Sequence, residues 1–230
     1  MTDSRPHGVD EHTARALIDY AESSIIEDDA LAAARARSRE LGATPISAAV
    51  GALLAFLARS ADARAVAEIG TGTGVSGLWL LSGMSPTGVL TTIDPEPEHH
   101  RAARASFTGA DIAPTRTRLI NGRPREVLPR LSDESYDLVF IDAAPIDLPT
   151  FVGEAIRMLR PGGVVVVHNA TASGAVGDPQ RTDPATTAAR QAALLIADDD
   201  RLLPVVIPLG EGVLAAAKAP TAKTHTAKTF

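Results

Sequence analysis

Residues 65–77 read Ala65-Val66-Ala67-Glu68-Ile69-Gly70-Thr71-Gly72-Thr73-Gly74-Val75-Ser76-Gly77. A short apolar run holds one acid, then breaks into glycines at every second position. The apolar spacing Val75, Leu78, Trp79, Leu81 follows. This predicts a buried strand, a tight loop and a helix start. Glycine tolerates positive φ and lets a ligand approach the main chain without a Cβ in the way. The helix beyond it opens with unpaired N–H groups. Such a turn is suited to a nucleotide-like cofactor.

The totals set bounds on everything else. With 230 residues, 45% of them apolar, the chain has ample material for a core. The formal charge is −6 and the basic residues are scattered, which argues against nucleic acid as a partner. There is no cysteine, so disulfides and thiolate chemistry are excluded. No apolar run approaches the roughly 20 residues of a membrane span, and residues 1–7 lack the apolar core of a signal peptide. The expected location is the cytoplasm.

Upstream of the glycine stretch, residues 1–60 predict helices. Ala14, Leu17, Ile18 and Ala21 share one face over 10–23. Asp28-Asp29 opens a second helix over 30–41, stopped by Gly42, and Thr44-Pro45 is expected to start a third. These helices read either as a lid or dimer surface, or as plain cover for the sheet. Downstream, strands are expected at 65–70, 89–94, 116–121, 136–142 and 163–168, with helices at 75–83, 96–107, 124–131 and 148–159. Apolar strands alternating with helices argue for an α/β parallel sheet covered on both faces. Pro161-Gly162-Gly163 reads as the turn into the fifth strand. A Gly/Asp/Pro-rich loop (170–184) and a helix (185–197) precede two strand-like runs, 203–209 and 213–217, joined by Gly210-Glu211-Gly212. That is a hairpin and therefore antiparallel. Residues 219–230 repeat Ala, Lys and Thr and read as a disordered tail.

The cofactor is the crux. Gly72, Gly74 and Gly77 satisfy G-x-G-x-x-G, with Asp94 twenty residues past Gly74: the dinucleotide fingerprint and its ribose acid. Three features oppose an NAD(P) oxidoreductase. Glu68 lies two residues before the first glycine, where a carboxylate suits a cationic amino group rather than a pyrophosphate. The chain closes with a hairpin. Asp137-Leu138-Val139-Phe140-Ile141-Asp142 is followed by Leu159-Arg160-Pro161-Gly162-Gly163. At residues 21–29, 68–76, 90–94, 140–143 and 159–169 the sequence resembles the class I S-adenosylmethionine-dependent methyltransferases. More narrowly, it resembles the catechol/caffeoyl-CoA O-methyltransferases and their small bacterial relatives. The resemblance covers about residues 20–218, the cofactor domain being 61–218.

That resemblance implies a Rossmann-like sheet of seven strands ending in an antiparallel hairpin, an O-methyltransferase activity on a small, aromatic, catechol-like hydroxylated acceptor, and a homodimer. It implies that Glu68, Gly70, Gly72 and Ser76 hold the methionine part, with Ser47 contacting its carboxylate. Asp94 would accept the ribose hydroxyls, Gly122, Arg123 and Pro124 would border the adenine, and Asp142 would sit beside the sulfonium. The bland alternatives are turn geometry for the glycines and helix capping for Asp94 and Ser76. In the family, a divalent metal held by an Asp ending strand four and an Asp-Asn pair ending strand five lowers the acceptor's pKa. Here those positions are Asp142, His168 and Asn169, and the Lys that follows strand four in the family is absent from Asp142-Ala143-Ala144-Pro145. Replacing a carboxylate by imidazole makes the site less suited to Mg²⁺ than to Mn²⁺ or Zn²⁺. Alternatively His168 is itself a general base with no metal, or merely structural, or the transferase activity is lost. The histidines at 7, 12, 99, 100 and 225 suggest no ligand cluster.

Overall fold

The computed structural model describes residues 10–220. The loose start expected up to about residue 9, and residues 221–230 of the expected tail, lie outside the described residues. The strands are β1 (Ala65–Ile69), β2 (Val89–Asp94), β3 (Thr117–Asn121), β4 (Tyr136–Ile141), β5 (Leu159–His168), β6 (Leu202–Ile207) and β7 (Val213–Lys218). They form one sheet in the order β3-β2-β1-β4-β5-β7-β6. Strands β1 to β5 pair in parallel, and β7 runs against both β5 and β6. This is the expected parallel sheet closed by a hairpin.

Side-chain alternation explains why both faces must be covered. Along β4, Leu138 and Phe140 point to one layer and Val139 and Ile141 to the other, all fully buried. The first layer is completed by α2 (Asp29–Leu41), α3 (Ala48–Ser60), α4 (Val75–Gly83) and α5 (Pro97–Gly109), through Leu31, Val50, Leu54, Leu80 and Phe107. The second is completed by α7 (Leu148–Met158) and α8 (Pro184–Ala197), through Phe151, Val152, Ala189 and Ile196. A short helix, α6 (Pro124–Val127), follows β3. Helices α2 and α3 therefore cover the sheet. The first helix, α1 (Glu11–Ser23), differs: none of its residues is buried.

Three boundaries depart from expectation. Thr44-Pro45 does not open α3; the helix starts at Ala48, because Ser47 takes the N-cap position and its Oγ accepts the Val50 N–H. β5 starts at Leu159, so Pro161-Gly162-Gly163 lies inside a strand, with the register shifting between Tyr136 and Leu138 of its partner. The helix expected over 124–131 is one α-turn followed by a 3-10 turn, Leu128–Arg130, with Pro129 inside it. The loop at 170–184 is held from α8. Arg190 donates to the carbonyls of Ala175, Val176, Asp178 and Arg181.

Candidate functional site at the carboxyl edge of the sheet

Adjacent strands β2 and β5 end in Asp94 and His168, and Gly70 and Asp142 directly follow β1 and β4 between them, so the expected site residues line up along one sheet edge. Open α/β sheets bind ligands at this edge. The glycines do different jobs. Gly70 has φ +97°, and a Cβ there would sit 2.1 Å from the Asp142 carbonyl oxygen, so packing of β1 on β4 demands it. Gly72 has φ +49° and nothing within 4 Å of a built Cβ, so its main chain faces open space. A side chain at Gly72 would thus meet nothing, whereas one at Gly70 would strike β4. A cavity runs along this loop, lined by Gly70 to Thr73, Ser76 and Asp142 on one side and by Thr44, Pro45 and Ile46 on the other.

Glu68 is not among the cavity's walls. Its side chain is wholly buried beneath the loop, where Oε2 accepts the Thr92 hydroxyl at 2.6 Å and Oε1 has no partner among the described residues. Burial pushes its carboxyl up to about 7, against the neighbouring Ser76 and Thr92 hydroxyls, which favour the charged form. In this structure the carboxyl therefore has no open path to the cavity. The Ser76 hydroxyl lies against the carboxyl and also lines the cavity, so Glu68 reaches that space through Ser76 and through its charge.

Asp94 ends β2 almost fully buried. Its Oδ2 accepts the Gly72 N–H at 3.0 Å and its Oδ1 the Glu96 N–H at 2.9 Å. It is not the cap of α5, whose N-cap residue is Glu96. His99, expected to be uninvolved, has Nδ1 3.2 Å from Asp94 Oδ2. The Gly122 N–H donates to the Asp94 carbonyl at 3.0 Å, bringing the Gly122-Arg123-Pro124 turn beside Asp94. Pro124 is the first residue of α6, and the Arg123 side chain points into solvent.

At the other end, His168 Nδ1 lies 2.9 Å from Asp142 Oδ1, with the imidazole buried and the carboxylate about one-third exposed. The hydrogen bond gives Nδ1 the proton, leaving Nε2 as the acceptor nitrogen in the neutral ring. Gly210 packs against Nε2: a Cβ built on it would lie 3.5 Å from Nε2 and 3.4 Å from Ser47 Oγ. Ser47 donates to Glu22 Oε1 at 2.7 Å, and Glu22 Oε2 accepts the Ala49 N–H at 3.0 Å. Glu22 of α1 thus places a carboxylate on the start of α3, where the helix dipole favours one. The resemblance assigns Ser47 to a ligand carboxylate; in this structure its hydroxyl donates to a carboxylate of the chain itself, a contact with no local sequence signal.

Asn169 does not join this pair as a metal ligand. It has φ +51°, and its Oδ1 accepts the Ser173 N–H at 3.0 Å, which fixes the following turn. Among the described residues no group of three His, Asp or Glu side chains is arranged to hold a metal ion. Asp142 and His168 are bonded to each other through Oδ1 and Nδ1, so the pair presents itself as a hydrogen-bonded couple.

These features define a class of protein, and comparison with known proteins identifies it. The family model for O-methyltransferases matches residues 20–219. A candidate O-methyltransferase of Mycobacteroides abscessus is 58% identical over 209 residues, covering 91% of this chain and 97% of its own. The solved O-methyltransferase TomG of Streptomyces achromogenes, in complex with SAM, matches with a TM-score of 0.81 and 31% identity, over 92% of this chain and all of that one. An O-methyltransferase of Bacillus cereus in complex with SAH matches at 0.80 and 27% identity, over 88% of this chain and 97% of that one. The chain belongs to the O-methyltransferase family. The dinucleotide reading of Gly72, Gly74 and Gly77 is set aside with that finding.

Proposed function

We propose that this enzyme transfers a methyl group from S-adenosylmethionine to a hydroxyl of a small, aromatic, catechol-like acceptor, without a metal. The observation that carries this reading is the Asp142–His168 pair, 2.9 Å apart beside the glycine loop. S-adenosylmethionine, when bound, supplies an electrophilic methyl carbon. The open main chain at Gly72, with Ser76 and Thr44 to Ile46, holds the methionine part. Asp94 accepts the two ribose hydroxyls, and Gly122 to Pro124 border the adenine. Asp142 orients the imidazole and stabilises its protonated form. His168 Nε2 takes the proton from the acceptor hydroxyl as its oxygen attacks. Holding both reactants in line supplies the rest of the acceleration.

The test is transfer of labelled methyl to a phenol and catechol panel, first with EDTA and then with Mg²⁺, Mn²⁺ and Zn²⁺. Transfer in EDTA that Mg²⁺ leaves within twofold is expected; strict dependence on added metal would sink the metal-free reading. Absence of S-adenosylmethionine binding by calorimetry would remove the cofactor assignment. A homodimer belongs to the same reading, supported by the exposed apolar side chains Leu194, Leu195, Leu203 and Val205. A monomeric mass by light scattering would remove it. No helix among the described residues is long and apolar enough to cross a membrane.

A further inference from the structure

The buried carboxylate of Asp94 is surrounded by donors. Its Oδ2 accepts the Gly72 N–H at 3.0 Å and its Oδ1 the Glu96 N–H at 2.9 Å, while His99 Nδ1 lies almost evenly between the two oxygens, 3.2 Å from Oδ2 and 3.3 Å from Oδ1. A carboxylate only accepts, so Nδ1 carries the proton in this contact. Such a group offers about four lone-pair sites. Main-chain N–H groups hold one on each oxygen, and the shared imidazole N–H covers what remains. A vicinal diol brings a further O–H donor for each oxygen. A donor already in place then has to leave.

The donors are not equally free to go. The Gly72 N–H belongs to a loop tied down on both sides of it, by the Gly74 N–H on the Thr71 carbonyl at 3.0 Å and by the Thr73 hydroxyl on the Ala34 carbonyl at 3.0 Å. The Glu96 N–H belongs to the N-cap residue of α5. The Asp94 main chain is fixed in turn, its carbonyl accepting from the Gly122 N–H and from Asn121 Nδ2. His99 is a side chain in the first turn of α5, 26% exposed, and rotation about its own bonds takes the ring into water. We propose that His99 and the cofactor's ribose exchange places on Asp94: the imidazole holds both carboxylate oxygens, and swings away when the diol takes them. This rests on the assignment of Asp94 to the ribose hydroxyls under the proposed function. The ring lies on Asp94 although water is within its reach, so the contact is preferred to hydration. Its loss is therefore subtracted from the cofactor's affinity. The demethylated product carries the same ribose, so the exchange loosens both. A ligand without the diol leaves His99 where it is.

Calorimetry with S-adenosylhomocysteine and its 2′,3′-dideoxy analogue tests this, on the unaltered protein and on His99→Ala. The unaltered protein is expected to prefer the diol. His99→Ala is expected to bind S-adenosylhomocysteine about fivefold more tightly, and the dideoxy analogue within about twofold of the unaltered protein. A second measurement follows the ring itself. In protein labelled with ¹⁵N in its histidine rings, the His99 signal is identified by its loss in His99→Ala or His99→Gln. Its Nδ1 resonance is expected to shift on adding S-adenosylhomocysteine and to move far less with the dideoxy analogue. Weaker or unchanged binding of S-adenosylhomocysteine by His99→Ala overturns the proposal and makes His99 a fixed support of Asp94. A resonance that moves equally with both ligands, or with neither, overturns it too. Failure of the underlying reading shows differently: equal affinity of the two ligands for the unaltered protein removes the ribose assignment and the exchange with it, and no binding of either removes the cofactor.

Discussion

The two halves of the site are built on different physical terms. On the cofactor side, Gly70, Thr73, Glu68 and Asp94 are held by strand ladders and by short contacts between neighbouring strand ends. Thr92 bridges Glu68 and Thr71, and the Ser106 hydroxyl donates to the Thr73 carbonyl. On the other side of His168, a groove is walled by α1, a long loop and a hairpin turn, and α1 buries no residue at all. The first half has one arrangement and little tolerance. The second can vary in sequence and keep the fold, which is where a family sharing one cofactor can change its acceptor.

The largest effect expected is at the rigid half. Gly70→Ala puts a methyl group on a backbone oxygen at positive φ and should destabilise the protein by more than about 4 kcal/mol in urea unfolding. A loss under about 1 kcal/mol would show that the loop yields and that the contrast between the halves is overstated. Next is chemistry. His168→Ala is expected to lower kcat by about a thousandfold while leaving cofactor affinity within twofold by calorimetry; a modest loss in kcat would return His168 to a structural role. Asp94→Ala should weaken S-adenosylmethionine binding by roughly a hundredfold through two lost charge-assisted hydrogen bonds, with acceptor KM little moved.

Glu68 provides a pH test. Its folded carboxyl titrates near 7 and its unfolded one near 4.5, so the native state holds the extra proton in between. Stability from this group is complete below about 4.5 and is lost as pH rises toward 7, by roughly 3 kcal/mol in total. Glu68→Gln should flatten that slope. An unchanged urea midpoint profile between pH 4.5 and 7 would mean that the buried carboxyl is not protonated there. The cofactor's ammonium should draw the charged form back, so calorimetry in two buffers should detect proton release on binding near pH 7. The smallest effect is on the open side. Glu22→Gln removes a charged partner from Ser47 and the Ala49 N–H, and should cost about 1 kcal/mol or less while raising acceptor KM a few-fold. An effect as large as that of His168→Ala would show that α1 is part of the rigid half after all.

What could be read in advance follows the same division. The strands from Ala65, Val89 and Tyr136 announce themselves because strands covered on both faces are apolar or small at most positions, even with Glu68, Thr91, Thr92 and Asp137 among them. Gly72 and Asp94 are legible because a tight loop and a strand-end acid are local chemistry. Glu68 was legible as an acid in the right strand, but its seal from the cavity depends on Thr92 and Ser76 closing over it. Contacts such as Glu22 with Ser47, 25 residues apart, or Gly210 with His168, have no local signature. The start of α3 is hard to read because proline is a good first residue, while Ser47 is the better cap. The start of β5 is masked because Pro161 and two glycines look like a turn yet sit in a strand with a shifted register.

Arg190 shows how an irregular segment can be as determined as a helix. One guanidinium, anchored on α8, binds four carbonyl groups between Ala175 and Arg181, in a stretch whose composition promises freedom. The conformational entropy of that stretch is surrendered during folding, so it need not be surrendered when a ligand arrives. A stretch that reads as the loosest in the chain is thereby tied to α8 before any ligand arrives.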